Sequence, residues 1–174
     1  DYTNRGSIVT PLKDRIGSQI LTHYPHNIEI AKRITQQEAL ISKENESQIH
    51  IPELAKDLLE QIGFEARKSE YVDPKSGVST RMSITAFENL ISSAERRLLI
   101  SHDSKTSIRM SDFLGVITAI NGKIELVYEG EQEGAGEVAY HLITFAIKSL
   151  FPLYFPKIEK LEKPNEEGPY DQLI

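Results

Sequence analysis

Ala135, Val138, Ala139, Leu142, Ile143, Ala146, Ile147, Leu150 and Phe151 recur at intervals of three and four residues. This spacing predicts one long helix whose apolar face runs unbroken to its end, where Pro152 and Pro156 stop it. A stripe of that kind must be covered by other apolar surface. Similar stripes precede it. Ile28, Ala31 and Ile34 follow Asn27, a good N-cap. Leu54, Leu58, Leu59 and Ile62 follow Pro52. A third helix starts near Thr80, with Ile84, Phe87, Leu90, Ile91, Ala94 and Leu98 on one side. Ser111 caps a fourth, which carries Phe113, Val116, Ile117 and Ile120 and stops at Gly122. The fold class is therefore mainly α, a bundle of four or five helices.

Between these helices lie segments of other character. Ser42 to Gln48 is a polar separator, and Tyr71 to Gly77, with Asp-Pro and Ser-Gly, reads as a loop. Ile124 to Tyr128 alternates like a strand but also continues from the helix before it. An acidic, glycine-bearing loop follows from Glu129 to Glu137, and the charged, proline-bearing tail from Lys157 is expected to be loose.

The beginning of the chain does not match its body. Thr10-Pro11-Leu12-Lys13-Asp14-Arg15-Ile16-Gly17 reads as one short helix with a cap, a proline in its first turn and a glycine stop. Ser18 to Tyr24 then alternates as a short strand ended by Pro25. A lone strand cannot make a sheet. Its partners are expected from outside this stretch, and the first residue, Asp1, reads as the start of a fragment or a processed chain.

Composition removes several classes of function. With 174 residues, 39% hydrophobic and 26% charged, the chain has the balance of a globular domain. Its formal net charge of -6 argues against a protein built mainly to grip phosphate backbones, so nucleic acid is an unlikely partner. It contains no cysteine, hence no disulfide, thiolate metal site or cysteine nucleophile. That fits a reducing, cytoplasmic setting. No apolar run reaches the roughly 18 to 20 residues that cross a bilayer.

Two arginines stand out. Arg15 ends a one-turn helix that leads into the strand, where it either pairs with a carboxylate such as Asp14 or meets a phosphate on a neighbouring subunit. An arginine supplied in trans stabilises charge on a transferring phosphoryl group. Arg81 sits in the first turn of the third helix, where the helix dipole disfavours a cation by a few tenths of a kcal/mol. An anion beside it would reverse that preference, since the open N–H groups and the guanidinium would act together. Arg96 and Arg97 read as a solvated outer face. Glu129, Glu131, Glu133 and Glu137 match no calcium loop, and His23, His26, His50, His102 and His141 form no zinc spacing, so no metal ligands are expected. No Gly-x-Ser-x-Gly elbow, no phosphate loop and no apolar run ending in Asp-Glu occurs in the chain. By itself it is not expected to hydrolyse a nucleotide.

The segment Asp1 to Gly6 followed by Thr10 to Gly17 resembles the stretch after the sensor-1 strand in AAA+ ATPases of the magnesium chelatase and MoxR type. There a Pro-x-Leu-x-Asp-Arg-Phe-Gly-like sequence carries the arginine finger; Arg15 and Gly17 match it, and Ile16 replaces the usual Phe. Val78-Ser79-Thr80-Arg81-Met82-Ser83-Ile84 is similar to the sensor-2 region of that family's lid, and Ser111-Asp112-Phe113 to the segment leading into the next lid helix. Gly122 to Glu131 resembles a C-terminal extension of bacterial chelatase-like ATPases.

The resemblance implies residues 1–26 as the end of the ATPase core, 27–122 as the helical lid, 123–156 as an extension with the long helix, and 157–174 as the tail. It implies Arg15 as a finger toward the next subunit and Arg81 as a contact to ATP phosphate in its own. ATP and Mg²⁺ would be cofactors of the intact protein, with none expected to bind this stretch alone. Partners would be copies of the same ATPase in a ring, together with partner subunits or a remodelled client. The alternative is a helical protein-interaction module with no nucleotide role. A weaker third is a nucleic-acid-binding helical domain using Arg96, Arg97, Lys105 and Arg109.

Overall fold

A computed structural model describes residues 14–18 and 20–156. Among them the chain forms seven α-helices, one 3₁₀ helix and a two-stranded sheet. The helices are α1 (Ile28–Glu38), α2 (Lys43–Gln48), α3 (Glu53–Lys68), α4 (Arg81–Ser101), α5 (Val116–Asn121), α6 (Tyr128–Glu133) and α7 (Ala135–Tyr154). The architecture is a mainly α bundle, as the apolar stripes predict.

The long helices α3, α4 and α7 build the core. α3 turns Leu58, Leu59, Ile62 and Ala66 inward, α4 contributes Met82, Phe87, Leu90, Ile91 and Ala94, and α7 adds Val138, Ala139, Leu142, Ala146 and Leu150. These positions fall three and four apart on each helix; α3 packs against both α7 and α4, and α5 bridges α4 and α7. Val116 and Ile120 of α5 close one end. Residues on either side of 122 thus share one cluster, and α3 against α7 is its broadest helix contact.

α7 runs past the expected stop. Pro152 lies inside it, and the helix ends only where the Phe155 N–H donates to the Phe151 carbonyl at 2.9 Å. In the final turn a missing proline N–H costs one bond at most, so Pro152 bends little of the helix.

Other local differences have similar causes. The polar separator forms helix α2, capped by Ser42, whose Oγ accepts the Asn45 N–H at 3.1 Å. Ser111 does not cap the fourth helix. Met110–Gly115 is a 3₁₀ helix preceding α5, and the Asp112 carboxylate accepts the Arg109 N–H at 2.8 Å. Residues 124–127 carry only an isolated antiparallel bridge, Val72 to Leu126, and half of the acidic loop is helix α6. Two strands went unforeseen because each has only two residues: β1 (Ile49–His50) and β2 (Thr106–Ser107) pair in parallel.

The expected helix at 10–17 falls mostly outside the described residues, and its described end is a turn at Asp14–Arg15. The described residues of the expected strand at Ser18–Tyr24 form no strand. No described segment pairs with it, and Ile20 and Leu21 remain 86% and 90% exposed. Without a ladder, alternation alone cannot hold β structure.

Candidate functional site

Arg81 is the first residue of α4, a helix of 21 residues. Its guanidinium is exposed, and among the described residues it has no ion pair. Its own N–H donates to Ser79 Oγ at 3.2 Å. The backbone at this helix start is anchored in the core by Met82, the buried residue that follows. The positive end of the helix dipole and the Arg81 charge therefore occupy one exposed corner. Such a corner attracts anions. Arg15 lies in the turn at Asp14–Arg15 and is also exposed. Among the described residues no hydrogen bond or ion pair joins the two arginines.

Arg97, expected on a solvated face, is instead a structural tie. Its Nε and Nη2 donate to Asp112 Oδ1 and Oδ2 at 3.2 and 2.8 Å, a fork matched to a carboxylate. Nη1 donates to Thr106 Oγ1 at 2.5 Å and Nη2 to the Ser107 carbonyl at 2.7 Å. One guanidinium thus fastens α4 to β2 and to the 3₁₀ helix. Burial works against the Asp112 charge, but the Arg97 hydrogen bonds and the Arg109 N–H outweigh it and hold this carboxyl below the usual carboxylate range. Arg96, one residue earlier, is exposed as expected. The sequence did carry a hint: Arg97 lies three residues after buried Ala94 and beside buried Leu98.

A second charged cluster joins α1 to α3. Lys32 is buried, and its Nζ lies 2.6 Å from Asp57, 2.7 Å from Glu29 and 3.3 Å from Glu53. Burial opposes its charge, yet the bonds to Asp57 and Glu29 win and hold it above the usual lysine range. Tyr154, from the end of α7, donates its hydroxyl to Asp57 Oδ2, and that bond pushes the phenol up to about 12. Apolar periodicity could not reveal this seam. α1 meets α3 through Ala31, Lys32 and Thr35 rather than through Ile34.

Deeper in the same seam lies Glu60, 3% exposed. Its Oε1, the Thr35 Oγ1 and the Arg67 Nε are buried and have no hydrogen-bond partner among the described residues. Burial pushes the Glu60 carboxyl up, and the neighbouring Thr35 and Ser83 hydroxyls oppose this. The Arg67 guanidinium is pulled down by burial and lies 4.5 Å from the centre of the Tyr24 ring. Tyr24 Oη in turn accepts the Val78 N–H at 3.1 Å.

Two of the open clefts among the described residues lie beside the core. One, about 550 Å³, is lined by Gln48, His50, Lys56, Phe87 and Lys105 among others. The other, about 730 Å³, lies between the end of α3 and α7 beside Glu65, Tyr71, Tyr140, His141, Phe145 and Lys148. Both mix charges of each sign, and neither is lined by Arg15 or Arg81. Among the described residues no three His, Asp or Glu side chains are placed to hold a metal ion, and no helix is long and apolar enough to cross a membrane. No protein-family model, curated protein or solved structure matches the chain.

Proposed function

We propose that this chain is the C-terminal, lid-bearing part of an AAA+ ATPase of the magnesium chelatase or MoxR type, working as a ring in the cytoplasm. The observation that carries the reading is Arg81: a cation on the first residue of the longest helix, exposed, rigidly based and without a partner among the described residues. A structural arginine of this molecule behaves otherwise, as Arg97 does with its bonds to Asp112, Thr106 and Ser107. Leaving a charge unpaired at the disfavoured end of a helix makes sense where an anion completes it.

In this reading Arg81 contacts an ATP phosphate held by its own subunit, so the lid moves with the nucleotide state. Arg15 points at ATP in the adjacent subunit and stabilises charge developing on the transferred phosphoryl group. In this reading Mg²⁺ and the phosphate loop belong to the ATPase core, as the resemblance implies. In the intact protein Arg15→Ala is expected to abolish ATP hydrolysis while nucleotide binding stays within a few fold. Normal hydrolysis by that variant would remove the finger assignment.

A second reading has its own observation. Tyr140, Phe145, Phe151, Leu153 and Phe155 are all exposed on or just after α7, and Phe151 stacks on Phe155 with ring centres 4.8 Å apart. An aromatic surface of this kind suits a protein partner. If the polypeptide bearing this chain holds no phosphate loop and binds no ATP, the interaction-module reading takes precedence.

A further inference from the structure

The residues around Tyr24 form a latch that no nucleotide role explains. Tyr24 precedes α1, and its hydroxyl reaches the loop before α4 to accept the Val78 N–H. Gly77 is shaped for this contact: its φ is +68°, and a Cβ there would overlap the Tyr24 hydroxyl. Arg67 lies across the ring from the α3 side, 4.5 Å from its centre. The segment leading into α1 is thereby fixed to the end of α3 and to the approach of α4.

Behind Arg67, on the same face of α3, come Gly63 and Glu60, at spacings of four and three residues. Gly63, between them in sequence, is buried and puts no side chain of its own between the two charged groups. A Cβ on Gly63 would meet Ser83 Oγ at 3.4 Å and Arg67 Nη2 at 3.8 Å, so the guanidinium already reaches back along the helix toward Glu60. Both groups hold a buried atom without a hydrogen bond, Glu60 Oε1 and Arg67 Nε. Two opposite, unsatisfied groups of this kind on one helix face have an alternative arrangement in which they satisfy each other.

The remaining groups that face Glu60 cannot neutralise it. From α1 come the Thr35 hydroxyl and Lys32, which is committed to Asp57, Glu29 and Glu53. From α4 comes only the Ser83 hydroxyl. Lys56, which shares a cavity of about 10 Å³ with Glu60 and Thr35, is paired with Glu53 at 2.6 Å. That cavity holds one water at most. From α7, Ser149 and Tyr154 bind Glu65 and Asp57 instead. Arg67 is the one neighbouring cation not already held in an ion pair among the described residues.

We propose that Glu60 and Arg67 form a two-position switch for the Tyr24 latch. With Glu60 neutral, Arg67 lies over the Tyr24 ring and the Val78 N–H stays bound. With Glu60 ionised, Arg67 turns inward to pair with the carboxylate, the ring loses its cation, and Tyr24 releases Val78. The proton goes to solvent. This device is independent of the ATPase reading and operates in the chain as it stands.

The test is NMR on the complete 174-residue chain. The Glu60 side-chain carboxyl is titrated through its carbon shift, and the hydrogen-exchange protection of the Val78 amide is followed over the same pH range. Val78 protection should fall by about tenfold in step with Glu60 ionisation, the change that a coupling of one pKa unit produces. In Glu60→Gln, which keeps the neutral shape, the protection should stay high at every pH. A Glu60 carboxyl already ionised at pH 5, or Val78 protection that ignores the titration, would overturn the switch. If Glu60→Gln fails to fold, the two wild-type titrations decide the matter alone.

Discussion

The two ends of α4 treat an arginine in opposite ways. At the C-terminal end Arg97 spends its donors on a buried carboxylate, a threonine hydroxyl and a backbone carbonyl. At the N-terminal end Arg81 is exposed and, among the described residues, unpaired, while the charged groups Glu60 and Arg67 of the α1–α3 seam are incompletely satisfied. One end is tied for stability, and the other keeps polar groups available at a cost in stability. Buried charges that are paired and hydrogen-bonded hold elements together, whereas unsatisfied ones cost free energy and persist at working sites.

The strongest way to break this contrast is Arg97→Met. It strands the Asp112 carboxylate, 5% exposed, without its partner, and should cost about 3 kcal/mol in urea unfolding. The pH dependence has a definite sign. Asp112 has a depressed folded pKa, so its contribution is present above the unfolded value of about 3.9 and is lost as pH falls through the folded value. Arg97→Met should therefore flatten the acid limb of the stability curve. A loss below about 1 kcal/mol, the worth of an exposed pair, would show that the tie is ornamental.

Gly77→Ala comes next. It forces a side chain into the left-handed region and onto the Tyr24 hydroxyl, and should cost about 1–2 kcal/mol by thermal melting. Combined with Tyr24→Phe, the loss should be less than the sum of the two, because both changes break the same latch. Strict additivity would separate Gly77 from Tyr24.

Glu60→Gln has a smaller and pH-dependent effect. Glu60 has a raised folded pKa, so its stability contribution is complete below the unfolded value of about 4.3 and declines as pH rises toward the folded value. The variant lacks this decline, and its advantage over wild type should widen with pH and then level off. A constant difference from pH 4 to 9 would mean that Glu60 titrates alike in both states. Arg81→Ala has the least effect on folding, within about 0.5 kcal/mol, since it removes an exposed cation from the unfavourable end of a helix.

Much of the framework was legible because it rests on apolar spacing. The faces of α3, α4 and α7 follow directly from Leu58, Leu59 and Ile62, from Phe87, Leu90 and Ile91, and from Leu142, Ala146 and Leu150. Asn27 caps α1 as expected, its Oδ1 accepting the Ile30 N–H at 2.9 Å. The polar contacts were not legible. Arg97 meets Asp112 across 15 residues of chain, and Tyr24 meets Val78 across 54, distances over which side-chain patterns carry no register. Lys32 and Thr35 take core-facing places in α1 that counting apolar residues assigns to Ile34. The two-residue strands are too short for any alternation to show. Arg81 stands out in the sequence because it breaks a local preference, a signal independent of distance.

The central claim is that Arg81 serves a ligand and not the fold. On the proposed ATPase reading, it is tested most directly by measuring ATP hydrolysis and urea unfolding of the protein that carries this chain, with Arg81→Ala. Hydrolysis should be lost while the unfolding free energy changes by no more than about 0.5 kcal/mol. Unchanged hydrolysis, with or without a change in stability, would contradict it.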